Sequence, residues 1–300
     1  MQEIVQRLHI DPLDACREIE DLIHNTMNRL RRDGAVVSLS GGLDSAVAAT
    51  LTVRSLGTDR VHLLHMPERE SKRIHRNHAK RMAAHLGIPL TTQSISPLLR
   101  ASHTYRLLPL RFLPGRKLRA WVVRAVRSRL LKQEDVLATR LQPEADSWVA
   151  KGVAYAMTKH RFRMVLVYRY AEARNLMVVG AANRTEWLTG TFSKWGVDHC
   201  ADVIPLVHLY RSQLESIAET IGVPDYVRDK PADPDVMPGI DDKGALLGGF
   251  DTADQILYGV ERGVSKDDLV RAYGREQVEQ IVNLWELSKH MRESPYQVHV

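Results

Sequence analysis

The residues best suited to chemistry lie in one run, VVSLSGGLDSAVAATL, from Val36 to Leu51. Apolar residues lead into Ser38-Leu39-Ser40-Gly41-Gly42-Leu43-Asp44-Ser45, and an Ala/Val/Leu-rich segment follows. Read as a strand handing over to a helix, this turn leaves backbone N–H groups free at a helix N-terminus, and its glycines let the backbone wrap closely around an anion. The hydroxyls of Ser40 and Ser45 add donors. Asp44 is an acid where phosphate would sit, which is unfavourable unless a cation lies between them, so Asp44 implies Mg²⁺. The Gly-x-Gly-x-x-Gly pattern of dinucleotide folds is absent, as is the Gly-Lys-Ser/Thr of the P-loop.

The elements that must position this turn follow from periodicity. Residues 11–32 read as an amphipathic helix with Ile19, Leu22, Ile23, Met27 and Leu30 on one face. Strands are expected at Ala35–Leu39, Arg60–Met66, Leu90–Ile95 and Leu176–Gly180, and helices at Asp44–Ser55, Ser71–Leu86, Ser147–Ala173 and Tyr210–Ile221. Two or three helices follow from Asp251. Alternating strands and helices predict an α/β fold with a doubly wound, mainly parallel sheet and C-terminal helices.

Composition sets the frame. The length suits one large domain or two small ones, and we read residues 1–300 as one domain with a basic insert at about 98–146 and a Pro/Gly/Asp-rich loop at about 223–250. The formal net charge is +6, but Arg100 to Arg140 holds eleven Lys/Arg against two acids, a local +9, so the remainder is about −3 by subtraction. Basicity confined to one segment argues against a nucleic-acid partner for the whole chain. No apolar run is long enough for a membrane span, and two cysteines, Cys16 and Cys200, form no disulfide framework, so a cytoplasmic location is expected. Within the insert, Leu118, Trp121, Val122 and Ala125 form an apolar stripe beside Arg119, Arg124 and Arg127, next to Pro109 and Pro114. Its plainest reading is a solvated charged face packing through Trp121; a lid, a dimer element, a docking site for an acidic partner, a contact with an anionic surface and an acceptor-binding role are the alternatives. The helix carrying His75, His78 and His85 reads as a solvated face and not a metal site, and lone Cys200 as a small packed residue.

The complete SGGLDS turn resembles the pyrophosphate loop of the ATP pyrophosphatase superfamily, whose fold is Rossmann-like and related to the adenine nucleotide α hydrolases. The segments VVGAANRTEWLTGTFSKWG, ADVIPLVHLYRSQLESIAETIGVPDYVRDKPADPDVMPG and SKHMRESP are similar to the NAD synthetase family, in that family's order. The resemblance implies an ATP-dependent ligase that adenylates a carboxylate, releases pyrophosphate and transfers ammonia, most simply from deamido-NAD to NAD. It implies ATP and Mg²⁺, ammonia (free or from a separate glutaminase), and a homodimer with substrate sites at the subunit interface. It also implies roles. Ser38, Ser40, Gly41, Gly42, Asp44, Ser45, Met66, Arg211 and Asp233 would bind ATP. Asp44 and Glu186 would share the metal; Arg161, Lys194, Asp202 and His290 would contact the acceptor; Asp202 would also help with ammonium.

Several positions depart from the family pattern: Ala181 for threonine, Asp233 with Pro234 for Ser/Thr-Ala, Arg211 for lysine, Met291 for lysine, Met157 for asparagine, and one extra residue in Gly196–Cys200. An acid at 233 beside phosphates needs a compensating cation. These departures keep three other readings in view: the same chemistry on another carboxylic acid, sulfur or nitrogen transfer to an adenylated substrate, and a nucleotide-binding regulatory module. Glu186 has a purely structural alternative as a helix-start acid favoured by the dipole.

Overall fold

The computed structural model describes residues 8–108, 112–113, 115–130, 136–233 and 246–296. Its centre is a parallel four-stranded sheet in the order β3-β2-β1-β4, formed by β1 (Gly34–Ser38), β2 (Val61–His65), β3 (Leu90–Thr92) and β4 (Leu176–Val179). Alternation along the strands sends the two faces to two cores. Ala35, Val37, Leu63, Met177 and Val179 pack against α1 (Pro12–Arg29), α2 (Leu43–Leu56), α3 (Arg73–His85) and α9 (Arg211–Thr220). Val36, Leu64 and Val178 face α4 (Ser96–Ala101), α5 (Arg116–Leu130) and α7 (Trp148–Glu172). Between α5 and α7 lies α6 (Val136–Leu141). Both faces are therefore covered, which is why the central strands β1 and β4 read as near-continuous apolar runs, whereas the marginal β3 does not.

The helix starts obey their local chemistry. Asp11 caps α1 by accepting from the N–H groups of Leu13 and Asp14, with Pro12 in the first turn. Ser147 caps α7 by accepting from Ala150 N. The third strand, expected over Leu90–Ile95, spans only Leu90–Thr92. Gln93 N still donates to His65 O, but Ile95 N turns to Pro67 O and Pro97 opens α4.

A short α8 (Arg184–Thr189) follows β4, and a one-turn α10 (Asp225–Arg228) interrupts the expected long loop. Residues 234–245 of that stretch, with Pro234, lie outside the described residues, as do Pro109 and Pro114 of the insert. Helices α11 (Phe250–Glu261), α12 (Lys266–Tyr273) and α13 (Arg275–Leu287) form a third apolar cluster, and a one-turn α14 (Lys289–Arg292) follows, its Met291 packing with Ala182 and Phe192.

The outer margin of β4 is covered by the segment after Cys200. Val178 O accepts from the N–H groups of Asp202 and Val203, Gly180 N donates to Val203 O, and the Asp202 carboxylate accepts from Val178 N at 2.7 Å.

Two sequence expectations are corrected here. In the histidine helix, His75 and His78 are buried and only His85 is exposed: His75 faces Asp233 and Lys230, and His78 packs edge-on against Tyr226. In α5 the expected packing stripe is turned outward. Trp121 is 64% exposed and Leu118 is also exposed, while Val123 is buried and Arg119 reaches inward to Glu70 at 3.2 Å. A buried carboxylate elsewhere in the chain outweighs the apolar face in deciding which side of this helix turns in.

Candidate active site

The site lies at the carboxyl ends of β1 and β4, where the sheet's connections diverge to opposite sides. In open α/β sheets this is the ligand crevice. A cavity of about 320 Å³ opens there, lined by residues of the 38–45 turn, by Met66, Glu186 and Arg211, and by residues of α6 and α7.

The turn is tightly constrained. Gly41 has φ +85°, and a Cβ there would stand 2.3 Å from His75 O, so only glycine fits. The serine hydroxyls work partly inside the loop. Ser45 Oγ accepts from Ser40 N at 3.2 Å and donates to Gly42 O at 3.0 Å, and Ser40 Oγ accepts from Gly42 N at 3.2 Å. Ser38 lines the cavity, and its Oγ is buried with no hydrogen-bond partner among the described residues.

Asp44 opens α2 and is held from two directions: Asn183 Nδ2 donates to Oδ1 at 2.5 Å, and Arg211 donates to Oδ2 at 3.0 Å. Asn183 also caps α8 by accepting from Glu186 N at 2.9 Å. One asparagine thus ties together the two segments that carry the carboxylates, and both acids line the same cavity. The donor set, two carboxylates beside a phosphate loop, fits a hard cation shared with phosphate oxygens. Among the described residues no group of three or more His, Cys, Asp or Glu could hold a metal by itself.

Asp233 also lines the cavity, and its compensation is visible. Lys72 ion-pairs with it, His75 Nε2 lies 3.2 Å away, and Lys230 reaches both His75 Nδ1 at 2.6 Å and Gly41 O at 3.3 Å.

The expected acceptor residues stand elsewhere. Arg161 and His290 are exposed, and neither they, nor Lys194, nor Asp202 line the cavity. Lys194 donates to His290 O. The Asp202 carboxylate holds Val178 N and accepts from Tyr168 at 3.3 Å. In place of Arg161, Arg163 faces inward and donates to Met66 O at 3.0 Å. Residues two apart on a helix point to different sides, so KHRFRM cannot turn both arginines to one ligand. Asn183, Arg140, His160, Arg163 and Lys230 are cavity residues that sequence reasoning missed. For Asn183 the signal was present, since Asn-x-x-Glu is a capping pattern. Burial and Asp202 both raise the Cys200 thiol pKa, which keeps it protonated, as suits a packed residue and not a nucleophile.

A parallel doubly wound sheet, with a glycine turn at its switch point and two carboxylates on one cavity, is the architecture of a nucleotide-binding α/β enzyme. The chain belongs to the NAD synthase family, whose profile matches residues 15–109 and 126–295. It is an ATP-dependent ligase that forms a carbon–nitrogen bond. It is 32% identical over 288 residues to the NH(3)-dependent NAD(+) synthetase of Coprothermobacter proteolyticus, covering 95% of this chain and 97% of that one. It is 39% identical over 264 residues to the enzyme of that name from Thermotoga maritima, covering 87% and 91%. An NH3-dependent NAD synthetase from Campylobacter jejuni shares the fold, with a TM-score of 0.69 at 21% identity over 97% of this chain and all of that one. No helix among the described residues is long and apolar enough to cross a membrane.

Proposed function

We infer that the protein converts deamido-NAD to NAD with ATP and ammonia, releasing pyrophosphate and AMP. The observation that carries this reading is the SGGLDS turn with Asp44 and Glu186 lining one cavity, in a chain of this family.

The chemistry needs positioning and charge compensation, with no nucleophilic side chain. The turn's amides and Ser38 hold the phosphates, and Lys72 and Lys230 add positive charge at its mouth. An acceptor carboxylate oxygen then attacks the α-phosphorus, pyrophosphate leaves, ammonia attacks the acyl carbon, and AMP leaves. Asp44 and Glu186 would hold Mg²⁺, which when bound neutralises phosphate charge. Met66 and Arg211 border the nucleotide, with Arg211 acting on Asp44.

The protein works as a homodimer in the cytoplasm. Arg161, Lys194 and His290, on the outer surface, meet the distal part of the long acceptor at the subunit interface. The exposed side chains of Phe112, Leu118 and Trp121 support an interface on the basic segment.

The test is pyrophosphate release from Mg-ATP and ammonium, with and without deamido-NAD, with NAD and AMP quantified by mass spectrometry. NAD and AMP in equal amounts are expected. Pyrophosphate release with another carboxylic acid and no NAD would keep the ligase and overturn the acceptor. Asp44→Asn abolishes turnover on this reading; full activity in that variant would remove the metal assignment.

A further inference from the structure

An acceptor carboxylate must meet positive charge before it reacts, and Arg161, Lys194 and His290 all stand outside the cavity. Arg140 stands inside it, in the last turn of α6, and lines the same cavity as Glu186 and the phosphate turn. One guanidinium nitrogen donates to Phe192 O at 3.0 Å, which fixes the side chain's direction. Burial lowers its pKa, with Glu186 and Asp198 opposing that shift, and an arginine keeps its charge in such a setting. The wall beside it is apolar. Val136 and Leu137, four and three residues earlier, share its helix face, and Trp148, Val149 and Val153 line the cavity from α7.

We propose that Arg140 receives the acceptor's carboxylate, and that the apolar limb beside it takes a flat carboxylated ring. The proposal rests on the acceptor reading above and adds the subsite. It also gives the residue two tasks. In the first step the carboxylate, paired with Arg140, forms a bond to the α-phosphorus, and pyrophosphate leaves with the bonding pair. The acyl group is then neutral, and the guanidinium faces its carbonyl oxygen. When ammonia attacks the acyl carbon, the carbonyl π pair moves onto that oxygen and Arg140 stabilises the oxyanion. Collapse re-forms the carbonyl, AMP leaves with the C–O pair, and the surplus proton on nitrogen passes to solvent.

The test compares Arg140→Met and Arg140→Lys with the wild-type chain, varying deamido-NAD and ATP separately. Arg140→Met raises the KM for deamido-NAD at least tenfold and lowers kcat about 100-fold, the usual loss for one oxyanion donor. Its KM for ATP stays within twofold, added methylguanidinium restores part of the rate, and Arg140→Lys is intermediate. Acceptor kinetics within twofold of wild type, or KM values for both substrates rising together, would overturn the proposal. If Arg140→Met fails to fold because Phe192 O loses its donor, the acceptor KM of Arg140→Lys decides in the same way. Failure of the acceptor reading shows separately, as a wild-type chain that makes no NAD. The comparison then moves to nicotinic acid mononucleotide, which carries the same ring and carboxylate, and a wild-type chain that turns over neither acid sinks both.

Discussion

Single residues carry the sharpest expectations. A methyl group at Gly41 would collide with the His75 carbonyl in a backbone region that favours glycine, so Gly41→Ala should open the phosphate turn. The expected result is a KM for ATP raised tenfold or more and a lowered melting temperature; unchanged ATP kinetics would show that the turn tolerates a shift of α3. Asp254 makes a prediction about acid stability. Burial raises its carboxyl pKa from 3.8 to about 6, opposed by hydrogen bonds from Thr185 and Ser212 N. Between about pH 4 and 6 the folded chain therefore holds a proton that the unfolded chain has lost, so this group's contribution to stability falls as pH rises through that window. A change of that size is worth on the order of 3 kcal/mol. The stability difference between wild type and Asp254→Asn, from urea titrations, should fall by that amount from pH 4 to 6.5 and stay flat above; a pH-independent difference would refute the assignment. The phosphate turn was legible because it concentrates unusual residues in eight positions. Arg140 was not, because it is one arginine among eleven basic residues in its segment, and only tertiary packing singles it out.

At the scale of elements, the cavity walls are joined by a buried charge network. Glu68 and Glu70, just after β2, are both buried, and Lys159 of α7 lies between them at 2.9 and 3.2 Å with no exposed surface. Tyr105 donates to Glu68, Tyr155 to Glu70, and Arg119 of α5 pairs with Glu70. The network fixes the segment that carries Met66 and Pro67 to both covering helices. Lys159→Met takes the buried cation from Glu68 and leaves Glu70 to Arg119 and Arg69, and should cost about 3–5 kcal/mol, read as a lower urea midpoint; a loss under 1 kcal/mol would mean water already screens the site. The strand–helix alternation was legible from periodicity because strands covered on both faces make uninterrupted apolar runs. The facing of α5 was not, because the partner of Arg119 lies 49 residues earlier in the chain and no local period encodes that distance.

At the scale of the molecule, the outward Trp121 and Leu118 make a prediction about assembly. On the proposed homodimer, Trp121→Glu should shift the protein from dimer to monomer in light scattering while its melting profile stays close to wild type; a dimer of unchanged affinity would place the interface elsewhere, and a monomeric wild type would remove the dimer from the proposal. The last consequence concerns solubility. The sheet ends at β4, and a strand at a sheet's margin is a template on which another chain can add. Here the 202–203 segment occupies that template, with the Asp202 carboxylate standing in for a carbonyl at Val178 N. Asp202→Ala would uncover an apolar strand's donor at an open margin. The variant should therefore aggregate with rising concentration and bind amyloid-reporting dyes before it loses affinity for ATP, which makes this acid a guard against fibril growth.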